Sequence, residues 1–330
     1  MALYVTAAGL ASVLAPTLAG TRAALREGRT MLRRQRGFLG PDWAPLTTAL
    51  AGEPDPAGPV TRMTALACQA LDDLAAAAPD LPQEDVAIAV LLPEPRDGID
   101  ADMAQKLGDA LVAEAAQRLG VRFVQPTLHL DAGCALAAAL SARADEVEAG
   151  QTLLVLAVDS HAARDRLNAL NNARRLFSKA TPYGAIPGEG AVALVVTARP
   201  DGARARIEGL GIDVEEVGEF DLGDSDYAAI TASCWDALPD DGRMVDVWVT
   251  DWNNSRYRAA ELSYLRVRLG SVLAPGCAPA HQALDTGDIG AAGPAFAVAL
   301  ALGTPGLMLV TAGSPGSNLR AAIALTLFEV

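Results

Sequence analysis

The chain has 330 residues, 51% of them hydrophobic and 20% charged, with a net charge of −14. That length and apolar content suffice for a large buried core in one or two domains, and the negative field argues against a nucleic-acid partner. No apolar run reaches the roughly 18 residues of a membrane span and no basic lead precedes the apolar N-terminus, so a cytoplasmic protein without a membrane span or signal peptide is expected.

In chain order, residues 3–10 (LYVTAAGL), 85–93 (DVAIAVLLP), 152–160 (TLLVLAVDS), 191–198 (AVALVVTA), 205–214 (ARIEGLGIDV), 244–251 (MVDVWVTD) and 307–313 (LMLVTAG) read as buried strands. Helical patterns fall between them at 60–78, 103–120 and 134–150, the last two ending at Gly120 and Gly150. Residues 37–58, rich in proline and glycine, read as a surface loop. The alternation predicts an α/β protein with buried sheets. Its element order runs twice, once over residues 1–200 and again, shortened, over 201–330, with the junction at Pro200 and Gly202.

Four cysteines, Cys68, Cys134, Cys234 and Cys277, form no CxxC pair and lie near no histidine at ligand spacing, so no metal site is expected. Only His129, His161 and His281 can serve as imidazole bases. His161 reads as a surface histidine, with an approach to a pocket as the alternative. Six arginines and one glutamate lie between Arg22 and Arg36, and residues 175–179 and 256–268 add two further basic clusters. These read as solvated faces or as docking points for an anionic partner. Cys134 opens an alanine-rich helix, where amide donors and the helix dipole can lower a thiol pKa; packing into a helix start is the other reading of this residue.

Three stretches carry a family resemblance. YVTAAGLASVLAPTLAGTRAALREG (4–28) resembles the opening of the β-ketoacyl synthases of the thiolase superfamily, YGAIPGEGAVALVV (183–196) their PGEG segment, and DTGDIGAAGPAFAVALAL (285–302) their late glycine-alanine turn and helix. The resemblance implies a thiolase-like five-layer αβαβα fold built from two similar halves, and a homodimer or a heterodimer with a ketosynthase, with residues 152–160 at or near the interface. It implies no permanently bound cofactor and a phosphopantetheine-linked substrate, a carrier-protein or coenzyme A thioester.

In the family a cysteine nucleophile opens a buried central helix, and Cys134, after Gly133, is the cysteine that fits, although strict counting back from Gly150 puts Gly133 at that place. Cys134 is accordingly expected to be the most reactive of the four thiols, with Cys277 as its competitor and Cys68 and Cys234 buried. The family's two histidines are absent: Asp251 lies near the first position, and Gly287 or Asp288 at the second. An ionised aspartate has no proton to donate to an enolate, and losing such donors costs about 10²- to 10³-fold each, so decarboxylative condensation is disfavoured.

Asp251 is carried with Cys134 as a candidate catalytic residue. Asn253, Asn254, Arg256 and Tyr257 follow it as a polar cluster after a strand, and with Asp288 they are candidates for substrate binding or for a capped turn. Gly133 and Glu189 read as turn-forming residues, with Asp159 and Ser160 framing the same turn. Two functions follow: an acyltransferase handling acyl thioesters in fatty-acid, polyketide or related biosynthesis without malonyl decarboxylation, or a silent partner of an active ketosynthase, like a chain length factor.

Overall fold

The computed structural model describes residues 3–52, 58–82 and 86–329. The strands are β1 (Leu3–Ser12), β2 (Arg33–Leu39), β3 (Pro45–Thr48), β4 (Val86–Leu91), β5 (Phe123–His129), β6 (Thr152–Ser160), β7 (Glu189–Thr197), β8 (Ala205–Val214), β9 (Val247–Thr250), β10 (Pro279–His281), β11 (Gly306–Ser314) and β12 (Leu319–Leu327). The helices are α1 (Leu18–Arg26), α2 (Pro59–Ala77), α3 (Ala101–Leu119), α4 (Ala135–Glu148), α5 (Arg164–Asn172), α6 (Ala228–Ala237), α7 (Arg256–Arg268), α8 (Ala283–Thr286) and α9 (Gly293–Ala301). Local chemistry sets several ends. Asp100 caps α3 by accepting from the Met103 amide, Gly120 stops it in the left-handed conformation, and Ser255 caps α7.

Ten strands form one sheet in the order β10-β9-β11-β12-β8-β1-β7-β6-β4-β5. Its two sets of five have the same wiring. From β1 outward, β7 and β6 each pair antiparallel to the strand before, then β4 and β5 follow in parallel. From β8 outward, β12 and β11 are antiparallel, then β9 and β10 parallel. A short antiparallel contact, Leu3–Val5 of β1 against Ala205–Ile207 of β8, joins the sets.

Hydrophobic burial arranges these elements in five layers. α4 and α9 share one core with the inner faces of both strand sets. α2 and α3 cover the outer face of the first set, and α6 and α7 that of the second. The runs are near-continuously apolar because each strand set is covered on both sides.

Three expectations change. Residues 37–58 were expected to be loop, yet β2 and β3 form a hairpin there that buries Gln35, Phe38 and Leu46; residues 53–57 lie outside the described residues. β6 is paired on both sides, so it is interior, and the free edges belong to β5 and β10. His161 is buried, because it leaves β6 under the segment that carries Gly188. Among the described residues no helix is long and apolar enough to cross a membrane.

Candidate functional site

The C-terminal ends of parallel strands in both sets converge on one cavity of about 720 Å³. Pro93 and Glu94 enter it after β4, Ala132 and Gly133 after β5, Asp159 and His161 at the end of β6, Asp251 and Asn253 after β9, and Gly313 at the end of β11. Strand ends are where α/β sheets open binding crevices. Among the described residues, no cluster of three or more His, Cys, Asp or Glu is placed to hold a metal ion.

A short turn, Ala132–Cys134, leads into α4. Ala132 is held at φ 43°, a left-handed conformation uncommon for alanine, and it lines the cavity. The matching turn before α9 starts with Gly290 at φ 46°. Gly133 is required sterically: a Cβ there would lie 2.9 Å from the Gly313 carbonyl oxygen.

Cys134 does not face the cavity. Its side chain is fully buried, with Sγ 3.8 Å from the Ala312 carbonyl oxygen. Its amide is already engaged, donating to the Asp131 carbonyl at 2.9 Å. Burial pushes the thiol up to about 12, so the helix start does not produce a thiolate. A sealed thiol with a raised pKa does not fit the expectation that Cys134 is the most reactive of the four. Cys134 shares the sealed state of Cys234, and Cys68 and Cys277 are only half-buried. The residue presented at the turn is an alanine, which has no nucleophile.

Asp251 does reach the cavity, but as part of a buried ion network. Arg258 donates to Asp251 and to Glu261, Arg320 Nε donates to Glu261 at 2.5 Å, and the Gly313 amide donates to Asp251 at 2.7 Å. This carboxylate is an occupied acceptor, with no proton to give. Asp288 also lines the cavity, and its two oxygens accept from Asn253 Nδ2 at 2.7 Å and the Gly290 amide at 2.9 Å. Asn253 and Asp288 are thus brought together across the site.

The other candidates hold loops. Asn254 donates to the carbonyls of Pro182 and Gly184, and Arg256 stacks 3.9 Å from the Tyr183 ring centroid, so both hold the 181–185 segment at the cavity mouth. Tyr257 donates to the Val217 carbonyl. Glu189 is fully buried away from the cavity and ties three segments together by accepting from the Ala51 amide, Arg62 and Ser160.

Sequence reasoning gave His161 a pocket approach only as the alternative and missed Glu219 and Phe220. His161 lines the cavity, and burial followed by the nearby Arg166 lowers its pKa. Against burial, Arg166 holds Asp159 below the usual carboxylate range. Glu219, on the loop before α6, is raised by burial, and its neighbour Phe220 sits between the guanidiniums of Arg96 and Arg175 at the mouth. The readable signal for His161 was its place directly after a buried strand; nothing local marks Glu219.

No protein-family model and no curated protein matches the sequence. Solved structures do. The ishigamide ketosynthase/chain length factor matches with a TM-score of 0.74 at 18% identity, covering 99% of this chain and 100% of that one. The AntDE:AntF structure, a type II PKS acyl-carrier protein in complex with its ketosynthase bound to the hexaketide, matches at 0.76 and 14%, covering 99% of each chain. A β-ketoacyl synthase from Burkholderia phymatum STM815 matches at 0.70 and 14%, over 99% and 100%. The chain has the ketosynthase form of the thiolase fold. These identities establish the ketosynthase architecture, and the activity has to be argued from the cavity.

Proposed function

We propose that the chain is a ketosynthase-like subunit that holds acyl thioesters, carried on phosphopantetheine by a carrier protein or coenzyme A, in polyketide, fatty-acid or related biosynthesis. Of the two ways it can do so, the geometry favours the silent partner of an active ketosynthase, in the manner of a chain length factor. The observation that carries this reading is the exchange at the α4 turn, with Ala132 facing the cavity and Cys134 shut behind it. Asp251 and Asp288, both tied as acceptors, supply no donor for an enolate, so malonyl decarboxylation is not expected. Arg174 and Arg256 line the mouth and enter no ion pair among the described residues, which suits the phosphate of a pantetheine arm. The half-buried free edge of β5 suits a partner chain, and we place the subunit in the cytoplasm.

A second reading, acyl transfer through Cys134, is favoured by one feature: Gly133, its immediate neighbour, lines the cavity. Intact-mass spectrometry separates the two. After incubation with acetyl-, butyryl- and malonyl-pantetheine the wild type is expected to keep its mass, while Ala132→Cys, which sets a thiol at the cavity turn, gains one acyl group. Acylation of the wild type, lost in Cys134→Ala, would establish the second reading instead.

A further inference from the structure

We propose that the inner wall of the cavity recognises a hydrogen-bond donor on its ligand, a hydroxyl or protonated amine close to the thioester, with His161 Nε2 and the Asp288 carboxylate as the acceptors. This deepens the thioester reading above and rests on it.

The tautomer of His161 follows from one contact. Nδ1 lies 3.2 Å from the Gly188 carbonyl oxygen, which can only accept, so Nδ1 carries the proton. Burial and Arg166 disfavour a second proton, leaving a neutral ring. Nε2 is then a bare lone pair, with no protein partner among the described residues, on a side chain that lines the cavity.

Asp288 is fixed beside the same strap. The Gly188 amide donates to the Asp288 carbonyl at 2.9 Å, and the His161 amide donates to the Gly188 carbonyl at 3.1 Å. The other lining carboxylates are neutralised by arginines: Asp159 by Arg166, Asp251 by Arg258, and Glu94 and Asp97 by Arg96. Glu219 is pushed by burial toward its neutral form. Asp288 has only the neutral donors of Asn253 and Gly290, and it enters no ion pair among the described residues. Each of its oxygens keeps a second lone pair.

The wall therefore offers a negative charge and an imidazole acceptor, with no imidazole donor. A ligand bringing a carboxylate there meets like charge and unmatched acceptors, whereas a hydroxyl or ammonium satisfies both.

The test is calorimetric titration with four N-acetylcysteamine thioesters: butyryl, 3-hydroxybutyryl, 3-aminobutyryl and malonyl. The hydroxy and amino compounds are expected to bind at least about tenfold tighter than butyryl, and malonyl more weakly than butyryl. His161→Phe and, as a shape-conserving second variant, Asp288→Asn are each expected to collapse the hydroxybutyryl-to-butyryl ratio to below about threefold. Asp288→Asn should also bring malonyl up to butyryl. Equal binding of all four, or ratios unchanged in both variants, overturns donor recognition and leaves the thioester reading standing. Failure of all four to bind overturns both.

Discussion

Gly133 and Asp251 come from opposite halves of the molecule and meet beside the cavity, so closely that a Cβ on Gly133 would lie 3.3 Å from Asp251 Oδ2. The contact seats the start of α4 against the end of β9. It leaves no room for a side chain between the turn and the Gly313 backbone.

Gly133→Ala is therefore expected to destabilise the fold by about 1–3 kcal/mol, the range for forced overpacking against backbone. Gly52→Ala, where an added Cβ meets nothing within 4 Å, is the control and should stay within about 0.5 kcal/mol. Urea unfolding of both variants measures the difference; equal midpoints would show that the turn yields.

Thiol reactivity should follow burial. Burial pushes the Cys134 thiol up to about 12, so at pH 8 it is the protonated thiol. Brief iodoacetamide treatment of the native protein with peptide mapping should modify Cys277 and Cys68 and spare Cys134 and Cys234. Preferential modification of Cys134 would mean that the cavity opens onto it.

Arg258 sits between Asp251 and Glu261, and Glu261 in turn holds Arg320. Removing the central cation leaves Asp251 without its arginine and Glu261 with Arg320 alone. Arg258→Met is expected to cost about 3–5 kcal/mol in denaturant unfolding, the range for breaking a buried ion pair. A loss under 1 kcal/mol would place the network in contact with water.

His161 gives a pH dependence with a definite sign. Its folded pKa lies below the ordinary 6.5, so below that pH the unfolded chain binds more protons than the folded one. Its contribution is complete above about pH 6.5 and falls as the solution is acidified, by at most about 1.4 kcal/mol per pH unit. Unfolding at pH 7.5 and 5.5 should show a larger acid loss in the wild type than in His161→Phe. Equal losses would assign the acid sensitivity to the other histidines whose pKa burial lowers, His129 and His281.

Much of the fold was legible because buried strands in covered sheets write themselves as apolar β-branched runs. Residues 205–214 appear in the structure as β8 with the same bounds, and the Gly120 and Gly150 stops follow α3 and α4. β12 was not read as a strand: LRAAIALTL is rich in alanine, which strands disfavour, and only its cover on both faces makes it one. The site was half legible. Asp251, Asn253, Arg256 and Asp288 do line the cavity with Gly133, since strand ends can be located from the pattern. The displacement of Cys134 showed in the sequence only as a one-residue miscount back from Gly150, and the left-handed backbone at Ala132 leaves no mark on an alanine.

Tyr4 of β1 pairs with Thr197 at the far end of β7, so the first strand has no neighbour in its own sheet until nearly 200 residues have been made. At ribosomal speeds of about 5–20 residues per second, that is a wait on the order of 10–40 s with both edges of β1 unpaired. In the second set β8 meets β1 over Ala205–Ile207 as it emerges, but it pairs along its length only with β12, the last of the described strands. Each half thus closes only when its final strand arrives. Until then the unpaired strand edges of the nascent chain are its points of exposure to aggregation.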